Sequence, residues 1–357
     1  MLSTPVRRSI HQEIKRYETR FMPDKARTGP IKMFVDVTSR CNLDCHMCWR
    51  EFTFANAFGD MSLETFKNIL PLMDNLDRVT LQASGEPFMN RNFIEMLRLT
   101  AQRNNGIVFA TNGTIMSEKY AEELVHNRVQ QVLVSLDAAT RQTYEKIRIG
   151  SKWEHVLKNI QIMIDTRTRL NSARPDITME FVLMRSNVEE LPEFVRLAHR
   201  FGIKFVGIRH VWVFGESTKN ETMFLYPELM QEKFTETEQL GNELGIYVDL
   251  PPQSGIKFAE DYMIRSFNDP RFDPFIQNIY EKPAPGKICY EPWNNFLVTW
   301  DGNVYPCCQT NRIMGNINDA GFQEVWNGLA YRLFRNGIRT GHYPKECIGC
   351  RNLRDPE

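Results

Sequence analysis

The segment CNLDCHMC at 41–48 sets Cys41, Cys45 and Cys48 within a few positions, directly after the apolar run MFVDVTS. Three thiolates in a C-x3-C-x2-C spacing supply three ligands, whereas a cubane iron–sulfur cluster has four irons, so one iron is left open for another group. A structural zinc site would want a fourth protein ligand, and His46 sits between Cys45 and Cys48, where ligation alongside them is strained. A second set lies far along the chain: Cys289, then Cys307 after two β-like runs that flank Asp301-Gly302, then Cys347 and Cys350 in CIGC. Four such thiolates hold either zinc or a fully ligated iron–sulfur cluster, and spacing alone leaves the metal open. Cys308 is the remaining cysteine. Beside Cys307 on a strand it points the other way, which argues against a fifth ligand. That leaves it a small buried residue or, in a radical reaction, a hydrogen-atom donor.

Positioning these groups falls to an alternation of short β-like runs and longer helical patterns that begins at residue 31. The runs MFVDVTS, RVTLQAS, IVFATNG, QVLVSLDA, ITMEFVLM, FVGIRHVWV and IYVDL are separated by segments such as SLETFKNILPLMDNL and NVEELPEFVRLAHRFG, apolar at every third or fourth position. Repeated βα units predict an α/β fold with a mainly parallel sheet, open or closed into a barrel. Alternate positions put Asp36, Thr38, Gln82, Ser84, Asn112, Ser135, Asp137, Thr178 and Glu180 on one strand face, and Val35, Val79, Phe109, Val132, Met179 and Phe181 on the other. A parallel strand covered by helices on both sides is normally apolar on both, so a polar interior is predicted, with its site at the strand ends. Glu180 on that lining is a candidate catalytic base, and His210 is another. Arg209 and His210 are neighbours that face opposite ways, and the sequence leaves open which one points inward. Near the N-terminus Ile10, Ile14, Tyr17 and Phe21 recur at helical spacing, with Arg7, Arg8, Lys15, Arg16 and Arg20 largely on other faces. This predicts a helix that caps the domain through its apolar side, a membrane or partner surface being the alternative.

The 357 residues suffice for one large domain with a smaller appendage. The expected division is a helical extension over 1–30, the βα domain over 31–250, a linker over 251–288 and a cysteine-bearing domain over 289–357. Lysine plus arginine (44) equals aspartate plus glutamate (44), so no global field recruits nucleic acid or an anionic membrane. With no long apolar run and no signal-peptide pattern, a cytoplasmic location is expected. Thiols stay reduced there, and bunched cysteines then indicate metal rather than disulfides.

With the triad placed after strand one, the chain resembles the radical S-adenosylmethionine superfamily, whose fold is a partial (β/α)6 TIM-like barrel. Met47 stands where that family usually has an aromatic residue. SGEP at 84–87 is similar to the family's GGE motif, which implies Ser84, Gly85 and Glu86 at the cofactor, the last two at its amino group. SLDA at 135–138 implies Ser135 and Asp137 for the ribose or methionine end, and YEKIRIG implies Arg148 facing the carboxylate. Asn112 and Val182 complete the implied cofactor-binding set. The stretch from Cys289 through GNI, EVWN and CIGC resembles a SPASM/twitch extension, a small hairpin-plus-helix domain. Its cysteines are too few for two auxiliary clusters, so a single one on Cys289, Cys307, Cys347 and Cys350 is implied.

The resemblance implies S-adenosylmethionine and two 4Fe-4S clusters, one catalytic and one auxiliary, fed by an electron donor such as flavodoxin or ferredoxin. The expected reaction is hydrogen abstraction from a small polar substrate, a sugar, aminocyclitol or nucleotide conjugate, ending in two-electron oxidation of a carbinol. Alternatives are a radical epimerase that uses Cys308 as hydrogen donor, a ribosomal-peptide maturase, and a non-enzymatic iron–sulfur scaffold or redox sensor. Only about 30 residues precede strand one, too few for an independent peptide-recognition core. No nucleic-acid or membrane partner is expected.

Overall fold

The computed structural model describes residues 4–48, 50, 58–76, 78–81, 84–103, 106–213, 216–251, 287–344, 347, 350 and 353–354. Apart from its ends, the expected linker over 251–288 lies outside the described residues. Along the chain the elements are α1 (Thr4–Phe21), β1 (Lys32–Val35), α2 (Leu63–Met73), β2 (Arg78–Thr80), α3 (Phe93–Ala101), β3 (Gly106–Thr111), α4 (Glu118–His126) and β4 (Gln131–Ser135). Then come α5 (Arg141–Ile147), α6 (Trp153–Arg169), β5 (Asp176–Leu183), α7 (Leu191–Arg200), β6 (Phe205–His210), α8 (Glu216–Lys219), α9 (Pro227–Leu244) and β7 (Tyr247–Asp249). The C-terminal segment adds β8 (Ile288–Cys289), α10 (Glu291–Asn294), β9 (Asn295–Val298), β10 (Asn303–Tyr305), β11 (Gly315–Asn316), α11 (Phe322–Trp326), α12 (Leu329–Arg339) and β12 (Leu353–Arg354). Three of the helix starts, those of α2, α4 and α5, fall where a side chain caps free N–H groups. Ser62 accepts from the Thr65 N–H at 3.0 Å before α2, and Thr140 accepts from that of Thr143 at 3.4 Å before α5. Among the described residues no helix is long and apolar enough to cross a membrane.

Packing divides the chain into two compact units that do not follow sequence order, Met1–Arg40 with Thr53–Ile107 and Gln277–Glu357, and Cys41–Phe52 with Val108–Ile276. This differs from the division expected between 31–250 and 289–357. The reason lies in the first unit, where β9 pairs in parallel with β1, setting Met33 opposite Phe296 and Val35 opposite Val298. Phe296, Leu297 and Val298 are buried in succession, which suits a strand covered on both faces. The other side of β1 pairs with β2, and β9 turns at Asp301-Gly302 into the antiparallel β10, as the dipeptide predicts. Antiparallel pairing of β8 with β12 sets Cys289 opposite Leu353.

Helix α1 belongs to this unit, but the side it buries is not the predicted one. His11, Lys15, Glu18 and Met22 are buried, whereas Ile10, Tyr17 and Phe21 are exposed. The Lys15 ammonium donates to the Trp293 carbonyl and to the Glu18 carboxylate, each at 2.6 Å. Glu18 in turn accepts from the Thr28 N–H and hydroxyl, each at 2.9 Å. A buried ion pair with its partners satisfied anchors the polar side and forces the apolar one outward.

In the second unit β3, β4, β5, β6 and β7 follow one another as parallel neighbours. Val132, Val134, Met179, Phe181 and Leu183 are completely buried, and Phe181 meets Phe194 of α7 edge-on at 4.9 Å between ring centres. Each such side chain contributes about 1.5–3 kcal/mol. The alternate positions carry Ser135 and Glu180, directly opposed across β4 and β5.

Candidate functional site

Cys41, Cys45 and Cys48 sit half-buried on the loop that opens the second unit's share of the chain. Asp44 and His46 donate their backbone N–H groups to the carbonyls of Ile149 and Ile147 at 3.0 and 2.9 Å. The cysteine loop is thereby fastened to the segment that carries Arg148. The Arg148 guanidinium approaches Cys45 Sγ at 3.7 Å, and the Asn112 side-chain amide approaches Cys41 Sγ at the same 3.7 Å. Donors at this range favour thiolate over thiol. Burial pushes the Cys45 thiol up to about 11 despite the opposing pull of Arg148, and burial also raises Cys48. Cys45 and Val182 pack against an apolar patch of Met47, Ile147, Met184 and Val211. His46 Nε2 is 3.7 Å from a Glu221 carboxylate oxygen.

Arg148 is held by Asp137, the residue of SLDA expected toward the cofactor. The Asp137 carboxylate is buried, paired with Arg148, and accepts the Val182 N–H at 2.7 Å. The residue lies at φ 63°, a left-handed conformation that costs a non-glycine residue energy and is tolerated where surroundings over-determine it. Burial opposes the Arg148 charge, but Asp137 and then Cys45 more than offset it, and Arg148 stays protonated. Its Nε atom is buried with no hydrogen-bond partner among the described residues.

On the open face of β5, Glu180 lies opposite Gly207 of β6. A Cβ at Gly207 would stand 2.4 Å from the Glu180 carboxylate, so only glycine leaves the carboxylate its place. Arg209 is the strand-six residue on this face, with Nε 3.8 Å from Glu180 and Nη1 2.8 Å from Asp249. His210 is on the other side, its ring centre 4.2 Å from that of Phe224, which removes it as a base beside Glu180. Burial raises the Glu180 carboxyl above its ordinary range, with Arg209 opposing.

The first unit carries the SGEP loop and the second cysteine set. A Cβ on Gly85 would stand 2.4 Å from the carbonyl oxygens of Thr38 and Arg40, so this loop packs directly on the chain leaving β1. The Glu86 N–H donates to the Arg40 carbonyl at 2.8 Å, and its buried carboxylate accepts from the Phe88 N–H at 3.4 Å. The Ser84 hydroxyl donates to Asp36 at 2.6 Å, and its N–H donates to the same carboxylate at 3.3 Å. Asp36 is the anchor the sequence reading missed. Its place in the alternation of FVDVTS marked it as polar-facing, but nothing in the sequence paired it with Ser84.

Cys289, Cys307, Cys347 and Cys350 are all buried. Burial, then the neighbouring Cys308, Cys289 and Cys347, drive the Cys307 thiol well up, which places these sulfurs within electrostatic reach of one another. The Gln309 N–H donates to Cys307 Sγ at 3.4 Å, and the Cys350 N–H to the Cys347 carbonyl at 3.4 Å. Cys307 and Cys308 lie past the end of β10, in a bend and turn, so strand alternation is not what separates their side chains. Cys308 is half-buried, 3.4 Å from the Gln309 side-chain amide. Among the described residues no three Cys, His, Asp or Glu side chains stand as a ready-made metal-ligand set.

A βα domain with a three-cysteine loop after its first strand, followed by a cysteine-rich hairpin and helix, defines an iron–sulfur enzyme class. Two family models match in that order, Radical SAM superfamily over 35–198 and an iron-sulfur cluster-binding domain, SPASM, over 289–351. The chain carries a radical SAM domain and, C-terminal to it, a SPASM iron–sulfur domain. It is 23% identical over 347 residues to a tungsten-containing aldehyde ferredoxin oxidoreductase cofactor-modifying protein of Pyrococcus furiosus, covering 90% of this chain and 87% of that one. It is 24% identical to the PqqA peptide cyclase of Gluconobacter oxydans, covering 91% and 84%. The fold is that of SuiB from Streptococcus suis, with TM-score 0.63, 15% identity, and 88% and 68% of the two chains covered. It also matches anSMEcpe with bound AdoMet, with TM-score 0.61, 18% identity, and 90% and 86% covered. That fold is the partial TIM-like barrel. The cofactors are S-adenosylmethionine and 4Fe-4S clusters, catalytic and auxiliary. The residues present suit them in kind, with cysteines spaced in the sequence as a three and a four, N–H donors at two sulfurs of the 41–48 loop, and an orphaned buried Arg148 Nε.

Proposed function

We propose that this radical SAM enzyme oxidises an unactivated C–H position of a polar substrate, with Cys41, Cys45 and Cys48 holding the catalytic cluster and Cys289, Cys307, Cys347 and Cys350 the auxiliary one. The observation that carries the reading is the donor arrangement, three thiols on a loop braced by Arg148 and Asn112 and four buried thiols elsewhere. When bound, S-adenosylmethionine and its cluster supply a 5′-deoxyadenosyl radical on one-electron reduction, the species that removes hydrogen from carbon. Around that chemistry Arg148 offers a fixed positive charge, Glu86 a carboxylate for an ammonium group, and Val182 with its apolar neighbours a dry wall. A set of four protein thiolates leaves no open position for substrate, which suits electron acceptance. The substrate gives up a hydrogen atom, an electron and a proton, and Glu180 is the group that takes the proton.

Relatives named as cofactor-modifying protein, heme synthase, peptide cyclase and mycofactocin maturase favour a peptide or cofactor precursor over the free sugar or cyclitol first expected. The Glu180–Arg209–Asp249 cluster supports a substrate with charged or hydroxyl groups at the reacting end. The test is a screen of deuterated peptides and small polar compounds against reduced enzyme, read as deuterium in 5′-deoxyadenosine. Transfer from a peptide supports this order, and transfer only from a sugar or cyclitol reverses it.

A further inference from the structure

Helix α1 turns to solvent the side that its sequence pattern would bury. Ile10 is 46%, Tyr17 41% and Phe21 54% exposed, and the rings of Tyr17 and Phe21 lie 4.5 Å apart. Arg20 sits 5.6 Å from the Phe21 ring centre and Arg27 4.7 Å from that of Tyr17. The helix has no freedom to roll and hide this face, because Lys15 and Glu18 are bonded on its other side to Trp293 and Thr28. Aromatic rings beside arginines are the composition of interface centres rather than of ordinary surface.

We propose that this face docks an acidic one-electron carrier protein, which delivers the electron that the reaction under Proposed function requires; the inference rests on that reading. The arginines select the sign of the partner, and the small number of exposed apolar side chains suits a brief redox encounter rather than a permanent interface. Helix α1 belongs to the same compact unit as Cys289, Cys307, Cys347 and Cys350, and it grips Trp293, four residues past Cys289. In the exchange the reduced carrier loses one electron and the chain's iron–sulfur centres gain it, and no proton or chemical group moves.

The test uses the full chain with its clusters, wild type against Arg20→Glu/Arg27→Glu and Tyr17→Ser/Phe21→Ser, with iron per chain checked for each. Reduced flavodoxin and dithionite are the two electron sources, and 5′-deoxyadenosine is the readout. With dithionite both variants should match wild type, since a small reductant needs no docking face. With flavodoxin each should be slower by about tenfold, and added salt should slow wild type and Tyr17→Ser/Phe21→Ser but not Arg20→Glu/Arg27→Glu. Flavodoxin titrated against each protein, followed by fluorescence anisotropy, should bind the variants about tenfold more weakly. Equal flavodoxin rates and affinities in all three proteins would overturn the proposal. So would wild-type dimers seen by sedimentation, or flotation with phosphatidylglycerol vesicles, that the substitutions abolish while flavodoxin binding persists. If wild type forms no 5′-deoxyadenosine even with dithionite, the underlying reading fails, and the anisotropy titration still decides the docking.

Discussion

Glu180 joins an elevated proton affinity to a position on the polar face of β5, and both bear on what it does. As the proton acceptor it must be ionised, so product formation should climb with pH through a value above the ordinary 4.5 of a glutamate and then level off. Glu180→Gln should lower product formation by about 10²–10⁴-fold while 5′-deoxyadenosine still forms, and an equal fall in both would remove Glu180 as the base. Gly207→Ala should act in the same direction, because its Cβ would occupy the carboxylate's space. Glu86→Ala should weaken S-adenosylmethionine binding by on the order of 2 kcal/mol with iron content unchanged, and dialysis equilibrium measures it. Unchanged affinity would detach the SGEP loop from the cofactor. The two cysteine sets could be singled out from the sequence because type and spacing carried the information. The chain from Asp137 through Arg148 to Cys45 could not, since it joins three separate segments. The choice between Arg209 and His210 waited on which side of β6 carries Gly207.

Strand alternation was legible because a period of two records which face is buried, and β4 follows it throughout and β5 from Met179 onward. Helix α1 shows the limit of the same logic. Its pattern reveals two unlike sides, but the partner that decides which is buried, the Trp293 carbonyl, is 278 residues away. The parallel pairing of β9 with β1 was hidden for the same reason. Strand β1 also couples to the SGEP loop through Asp36, and this has a consequence for stability. Burial holds the Asp36 carboxyl up at about 7, against an ordinary 3.8. The folded chain therefore keeps a proton that the unfolded chain has released, so this stabilisation is full below about pH 4 and is lost as pH rises through 7. Asp36→Asn should lack that slope, the difference amounting to a few kcal/mol, about 4 at most, between the two limits. Urea unfolding at several pH values reads it directly, and parallel stability profiles for the two proteins would place the Asp36 proton affinity near ordinary.

At the scale of the whole molecule, the catalytic and auxiliary cysteines fall in different compact units, and each set has its own loop, hydrogen bonds and burial. The two centres should therefore be separable by mutation. The expected stoichiometry of two four-iron clusters is about eight irons per chain. Cys41, Cys45 and Cys48 changed together to alanine should leave about half of that iron, and Cys289, Cys307, Cys347 and Cys350 changed together should leave the other half. Only the second variant should still cleave the cofactor. The most direct measurement is 5′-deoxyadenosine formation beside iron content, in anaerobically reconstituted, dithionite-reduced wild type and the triple-alanine protein. The expected result is 5′-deoxyadenosine from wild type alone, with about half the iron retained in the variant. Undiminished 5′-deoxyadenosine in the triple-alanine protein, or zinc in place of its remaining iron, would contradict it.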